Sequence, residues 1–259
     1  MSESQHWYSR AGKPAYEVPA ARGGMRATTL ADARKLGLCP SVTTVLSVIA
    51  KPQLEAWKVK QGILAALTLP RIDGEAEDAY LARITADSKQ QVIDAAEEGN
   101  RIHDAIECAF KGRVYPPDYR PHVEAAQRAL AETFPGVTDW IAEASFAHES
   151  GYGGKVDIHS PSTGIVVDWK GKDSDLSDGR KLAFDQNYQL AAYQVGLGLP
   201  RTVCANGFVS RTHPGKVRIH VWSAEEIEQG AAVFFSALAL WKAIKGFDPS
   251  FSNANSIAA

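Results

Sequence analysis

Apolar residues recur at helical spacing through the first half of the chain and at strand spacing through much of the second. After an irregular arm over residues 1–38, with a short helix near 29–36, Pro40 and Ser41 open a helix whose apolar face is Val42, Val45, Leu46 and Ile49. Ser41 can cap it by accepting from the N–H of Thr43 or Thr44. Lys51 and Pro52 interrupt, and Leu54, Trp57, Ile63, Leu64 and Leu67 mark the next helix. The helical pattern persists over residues 75–111, as two helices or one long one, until Gly112, Pro116 and Pro117 end it. A further helix follows over 119–134.

Pro135 and Gly136 mark the change to strands. Residues 140–148 read as a strand carrying Glu143 in a half-apolar setting, and Tyr152, Gly153 and Gly154 turn the chain into a hairpin. Its first arm, 155–159, alternates; its second, 165–169, is β-branched and nearly continuous; Ser160, Pro161, Ser162, Thr163 and Gly164 supply the turn. Each arm carries an acid, Asp157 and Asp168, and Lys170 follows two residues later, on the Asp168 face and roughly 7 Å along the strand. Trp169 points to the other face. A polar loop follows Lys170, then a helix over 182–198 with Gln189 and Tyr193 four apart on one side. Strands at 203–210 and 216–222 come next, then a helix capped by Ser223 with Glu226 at its third position. Residues 250–259 read as a disordered tail.

The 259 residues are 45% hydrophobic, enough for one large core. No apolar run was seen near the ~20 residues that span a bilayer, and the N-terminus lacks a signal-peptide apolar region. The expectation is a cytoplasmic protein of a bacterium or phage-infected cell, with no membrane partner. Three scattered cysteines, Cys39, Cys108 and Cys204, argue for a reducing compartment and against a disulfide framework or a CxxC zinc site. A net charge of −2 leaves nucleic-acid binding to local basic patches. Arg10, Lys13, Arg22 and Arg26 make the arm basic, as a loosely attached leader or as a strand-gripping arm.

Two carboxylates from adjacent strands with a lysine beside them suit a hard divalent cation and a phosphate. His103 shares a helix face with Ile106 and Phe110, and alone it reads as a core residue. Ser41, Thr43 and Thr44 at a helix N-terminus suit a phosphate, though capping explains them equally well.

The segments GNRIH (99–103), GGKVD (153–157), VVDWK (166–170) and QLAAY (189–193) resemble, in order and spacing, the PD-(D/E)XK nucleases. Within them the match is to the RecB-type branch, which includes phage exonucleases and the mitochondrial genome-maintenance exonuclease. PSVTTVL and KPQLEAW resemble the helical lead-in of those members, so the likeness spans most of residues 40–200. It implies an α/β, restriction-endonuclease-like fold: a central mixed β-sheet flanked by helices, with a helical N-terminal segment. The nuclease domain would cover 39–249, mainly helical to 135 and sheet core plus helices thereafter.

The resemblance also implies roles. His103, Asp157 and Asp168, with the Trp169 carbonyl, would ligate Mg2+ or Mn2+. Lys170 would orient or help deprotonate the attacking water, Gln189 and Tyr193 would buttress the site, and Glu143 would be an auxiliary acid. Arg101, Lys172, Arg180 and Lys181 are candidates for DNA-backbone contacts, together with Ser41, Thr43 and Thr44. Some relatives hold an iron–sulfur cluster on four cysteines; three scattered ones lead to the expectation of no iron–sulfur cluster. No GxxxxGKS/T motif is present, so strand opening would depend on a partner or on existing ends. The expected activity is exonucleolytic cleavage of single- or double-stranded DNA in recombination, repair or processing, with a recombination or replication partner. The alternatives are an endonuclease of the same fold and a non-catalytic DNA-binding accessory module.

Overall fold

The structure, a computed structural model, describes residues 6–251. In chain order, the arm contains strands β1 (Trp7–Tyr8), β2 (Glu17–Pro19) and β3 (Met25–Ala27), helix α1 (Leu30–Leu36) and strand β4 (Cys39–Pro40). β1 pairs antiparallel with β4, setting Trp7 against Pro40 and Tyr8 against Cys39. Trp7 is fully buried, and its ring meets Trp241 edge-on at 6.2 Å. The arm is therefore part of the core and not a loosely attached leader. Trp7 and Tyr8 bury too much apolar surface to stay in water. Thr29 caps α1 in a reciprocal pair with Asp32, and Gly37 ends it in the left-handed conformation.

Helix α2 (Val42–Val45) is one turn long and tightens into a 3-10 turn over residues 46–48, shorter than the continuous helix expected to Ile49. Helix α3 (Pro52–Thr68) starts at its proline, and α4 (Glu77–Phe110) is a single 34-residue helix. No proline interrupts α4, and only its last third buries side chains in the domain core: Ile102, Ala105 and Ile106. Helix α5 (Arg120–Thr133) follows.

The sheet comprises β5 (Ile141–His148), β6 (Tyr152–His159), β7 (Val166–Lys172), β8 (Cys204–Ser210) and β9 (Val217–Trp222), hydrogen-bonded in sequence order. Helix α6 (Asn187–Gly196) connects β7 to β8, and this is the parallel pair of an otherwise antiparallel sheet. A crossover is what a parallel pair requires. The last helix is α7 (Ala224–Lys245), whose Ser223–Glu226 capping box forms as expected. The architecture is mixed α/β, with two apolar cores. One gathers Val156, Val166 and Phe208 with residues of α2, α6 and α7. The other gathers Ile158, Val167, Trp169 and Val209 with residues of α4 and α5.

By length and composition alone α7 would suffice to cross a membrane, a test that buried core helices also pass. Its Ile227, Phe234, Leu238 and Trp241 are buried in the first core. Most of the tail lies outside the described residues. Phe251 is placed, its N–H donating to the Glu149 carbonyl at 2.9 Å, so the chain is ordered slightly further than expected.

Candidate functional site

The hairpin that carries the two acids pairs only near its turn. His159 faces Val166 and Ile158 faces Val167. The next step of that register would set Asp157 opposite Asp168, and there the ladder stops. In its place the Asp157 carboxylate accepts from the Trp169 N–H at 2.8 Å, an acid standing in for a backbone carbonyl. On the other edge of β6, Ala142 faces Ile158 and Ala144 faces Val156, while the intervening Glu143 adopts a left-handed backbone with φ 59°. A non-glycine residue there costs about 1–3 kcal/mol and marks a place held in shape by its surroundings. Asp157 thus sits where β6 is loosened from both neighbours.

Asp168 is buried, at 3% exposure. Its Oδ1 accepts from Gln189 Nε2 at 3.0 Å, and its Oδ2 from Lys170 Nζ at 2.7 Å and Asn206 Nδ2 at 3.2 Å. Lys170 Nζ also donates to Gln189 Oε1 at 3.1 Å, and Gln189 Nε2 reaches the Tyr193 hydroxyl at 2.8 Å. Asp168, Lys170, Gln189 and Tyr193 therefore meet in one network. Burial pushes the Asp168 carboxyl up, and the charge of Asp157 adds to this against the pull of Lys170. Burial works to lower the Lys170 ammonium, yet Asp168 outweighs it and the net direction is upward. Burial, followed by the charge of Asp168, drives the Tyr193 phenol upward.

His103 approaches the same place from α4, with Nδ1 3.6 Å from Asp157 Oδ2. His103, Asp104 and Glu107 of α4 face Lys155, Asp157 and Trp169 across a cavity of about 330 Å3. One acid is thus reached by α4 and the other by α6. Among the described residues, no three His, Cys, Asp or Glu side chains converge as a ready metal cluster.

Glu143 stands apart from the acids as an ion-pair partner. Its carboxylate bonds Lys111 at 2.7 Å and also Lys155. Burial works against ionisation, but Lys111 and Lys155 overcome it and hold the carboxyl at about 2.

The DNA-contact candidates divide. Ser41 and Thr44 are buried, with Ser41 Oγ accepting from the Thr44 N–H at 3.0 Å and lying 3.0 Å from Thr43 Oγ1. The Ser41 hydroxyl caps this one-turn helix and bonds the hydroxyls of Thr43 and Thr44. Arg101 is paired with Glu98 at 3.1 Å, and Arg180 is paired with Asp178. Lys181 lies over the Phe184 ring at 5.3 Å. Lys172 is on the β7 face of Asp168 and Lys170, its ammonium 5.3 Å above the Phe208 ring. Burial lowers it, with Lys170 and Arg211 adding to the effect. Of these cations, Lys172 is the one on the acid strand itself.

Sequence reasoning missed Asn206. It is fully buried, donates to both the Asp168 carbonyl and carboxylate, and accepts from Trp222 Nε1 at 2.8 Å. An asparagine inside the apolar run CANGFVS was the signal available.

No family model matches the chain, and no curated protein does. Among solved structures, it is similar to a protein of Eubacterium rectale described as a "Putative exonuclease". The identity is 14% and the TM-score 0.39, covering 57% of this chain and 68% of that one.

Proposed function

We propose that the chain is a divalent-metal-dependent deoxyribonuclease of the PD-(D/E)XK superfamily, of the RecB-type branch, acting on DNA ends. One observation carries this reading. A buried carboxylate, Asp168, is joined to Lys170 and Gln189 at the point where the β6–β7 ladder opens and Asp157 meets His103. A structural ion pair has no need of a second acid and a histidine at a gap in the sheet.

The donor set suits a hard cation, since two carboxylate groups and one imidazole are ligands that magnesium and manganese accept. Asp157, Asp168 and His103 would hold the ion, with Asp168, raised by burial and by Asp157 and paired with Lys170, as the buried ligand. The ion would supply charge neutralisation at the phosphodiester and acidify a water molecule. The Lys170 ammonium, beside Asp168, would position the attacking water and stabilise charge on the phosphoryl oxygens. Gln189 keeps Asp168 oriented, and the Tyr193 hydroxyl fixes Gln189. Lys172, next along the strand face, would contact a neighbouring phosphate.

Digestion of end-labelled linear DNA and circular single-stranded DNA tests the reading. With magnesium the linear substrate is degraded and the circle is spared; EDTA stops the reaction. Lys170→Met abolishes it while the variant still unfolds cooperatively. Full activity of Lys170→Met, or no cleavage by the wild type in magnesium and manganese, would remove the assignment.

A further inference from the structure

The rings of His6 and Tyr16 stack with centroids 4.5 Å apart and planes 26° from parallel. His6 is exposed and Tyr16 partly so. The pair lies outside the acid network yet is fastened to it. The Tyr16 and Tyr8 hydroxyls meet at 2.6 Å, and buried Tyr8 rests on Gly153 of β6. A Cβ on Gly153 would lie 2.7 Å from Tyr8 Cβ, and one on Gly154 would lie 2.8 Å from Tyr193 Cε1. Two adjacent glycines therefore seat one tyrosine from the arm and one from the site, on the strand that carries Asp157. The His6 N–H anchors the other end of the pair by donating to Thr44 Oγ1 at 3.3 Å. Lys155, the next residue on β6, lines the cavity beside Asp157. Partial burial of the His6 ring, followed by the charge of Lys155, lowers its pKa and keeps the ring neutral near pH 7.

We propose that the His6–Tyr16 pair is a stacking platform for a nucleobase of single-stranded nucleic acid, beside the cavity that Lys155 and Asp157 line. The inference rests on the nuclease reading and adds the form of the substrate to it. A base inside a duplex has both faces covered, so a ring platform at the rim engages only a strand that is single or has frayed. Stacking on an aromatic ring strengthens binding on the order of tenfold to a hundredfold per base and is indifferent to sequence. The phosphates would then continue past Lys155 toward the acids.

Fluorescence anisotropy of the full chain in EDTA, without cleavage, tests this with two labelled probes of equal length: an oligothymidylate and an abasic strand. The wild type is expected to bind the thymidylate at least about tenfold tighter than the abasic strand. Tyr16→Ala and His6→Ala each shrink that ratio severalfold and leave the abasic affinity in place. Tyr16→Phe, which loses the Tyr8 hydrogen bond and keeps the ring, retains the ratio. His6 is exposed, so its variant is not subject to misfolding. A wild-type ratio near one, or a ratio unchanged in both alanine variants, overturns the platform. If magnesium-dependent cleavage is seen alongside such a result, the platform falls alone. If the chain binds neither probe, the platform falls, and the nuclease reading falls with it only if magnesium-dependent digestion also fails.

Discussion

Replacing Gly207 with alanine probes what holds the acid strand in place. Trp169 lies between Asp168 and Lys170 in sequence, and its ring crosses Gly207, its register partner on the parallel neighbour β8. A Cβ at Gly207 would come 2.0 Å from Trp169 Cζ3 and 2.1 Å from Cε3. The ring is 2% exposed and shares its core with Ile102, Ile106, Ile158 and Val167, so any shift must disturb that packing. Small-to-large changes in a packed core cost about 1–3 kcal/mol, and a clash of strand backbone with a rigid ring belongs at ~3 kcal/mol. At ~2–4 °C per kcal/mol for a chain of this size, the melting temperature falls by about 6–12 °C. Urea unfolding followed by circular dichroism measures the loss. Cleavage should fall by more than the folded fraction does, because the displaced ring drags both site residues with it. Adding Trp169→Leu to Gly207→Ala should recover part of the stability, with a coupling of at least ~1 kcal/mol. If Gly207→Ala unfolds within ~0.5 kcal/mol of the wild type and cleaves normally, the ring does not brace the acids and the reasoning fails.

Trp7→Ala should cost about 3–5 kcal/mol in urea unfolding, since Trp7 is fully buried; a change near zero would mean the arm is detachable after all. Acidification should destabilise the protein as its histidines become protonated. Burial lowers the pKa of His6, His122, His148, His159 and His220, so the unfolded chain binds more protons and stability falls as pH drops through the ordinary histidine value of 6.5. A melting temperature flat from pH 7.5 to about 5.5 would contradict this. Asp139 is held at about 2 by the Ser160 hydroxyl and the Ser162 N–H. Its contribution is present above pH ~4 and lost as pH falls toward 2, so Asp139→Asn should flatten that limb of the acid unfolding curve.

The hairpin was legible because strand alternation and a five-residue turn are local signals, and the same is true of the Ser223–Glu226 cap. The gathering of Asp168, Lys170, Gln189 and Tyr193 came from motif order, since no local rule says that α6 returns over β7. The parallel β7–β8 pairing hid Asn206, a residue whose partner is 38 positions away. The arm looked irregular because its strands are two or three residues long, and pairing with β4 rather than propensity holds β1 in place. Arg180 is paired with Asp178, a contact that nearness in sequence to the site did not indicate, and Ser41 caps its helix, as its position allowed.

Calorimetric titration of the metal-free protein with Mn2+ addresses the central claim most directly, using the wild type, Asp157→Asn and Asp168→Asn. The account predicts saturable binding by the wild type and at least tenfold weaker binding by each variant, on the order expected for losing a ligand. Wild-type protein that takes up no metal, or variants that bind as it does, would contradict it.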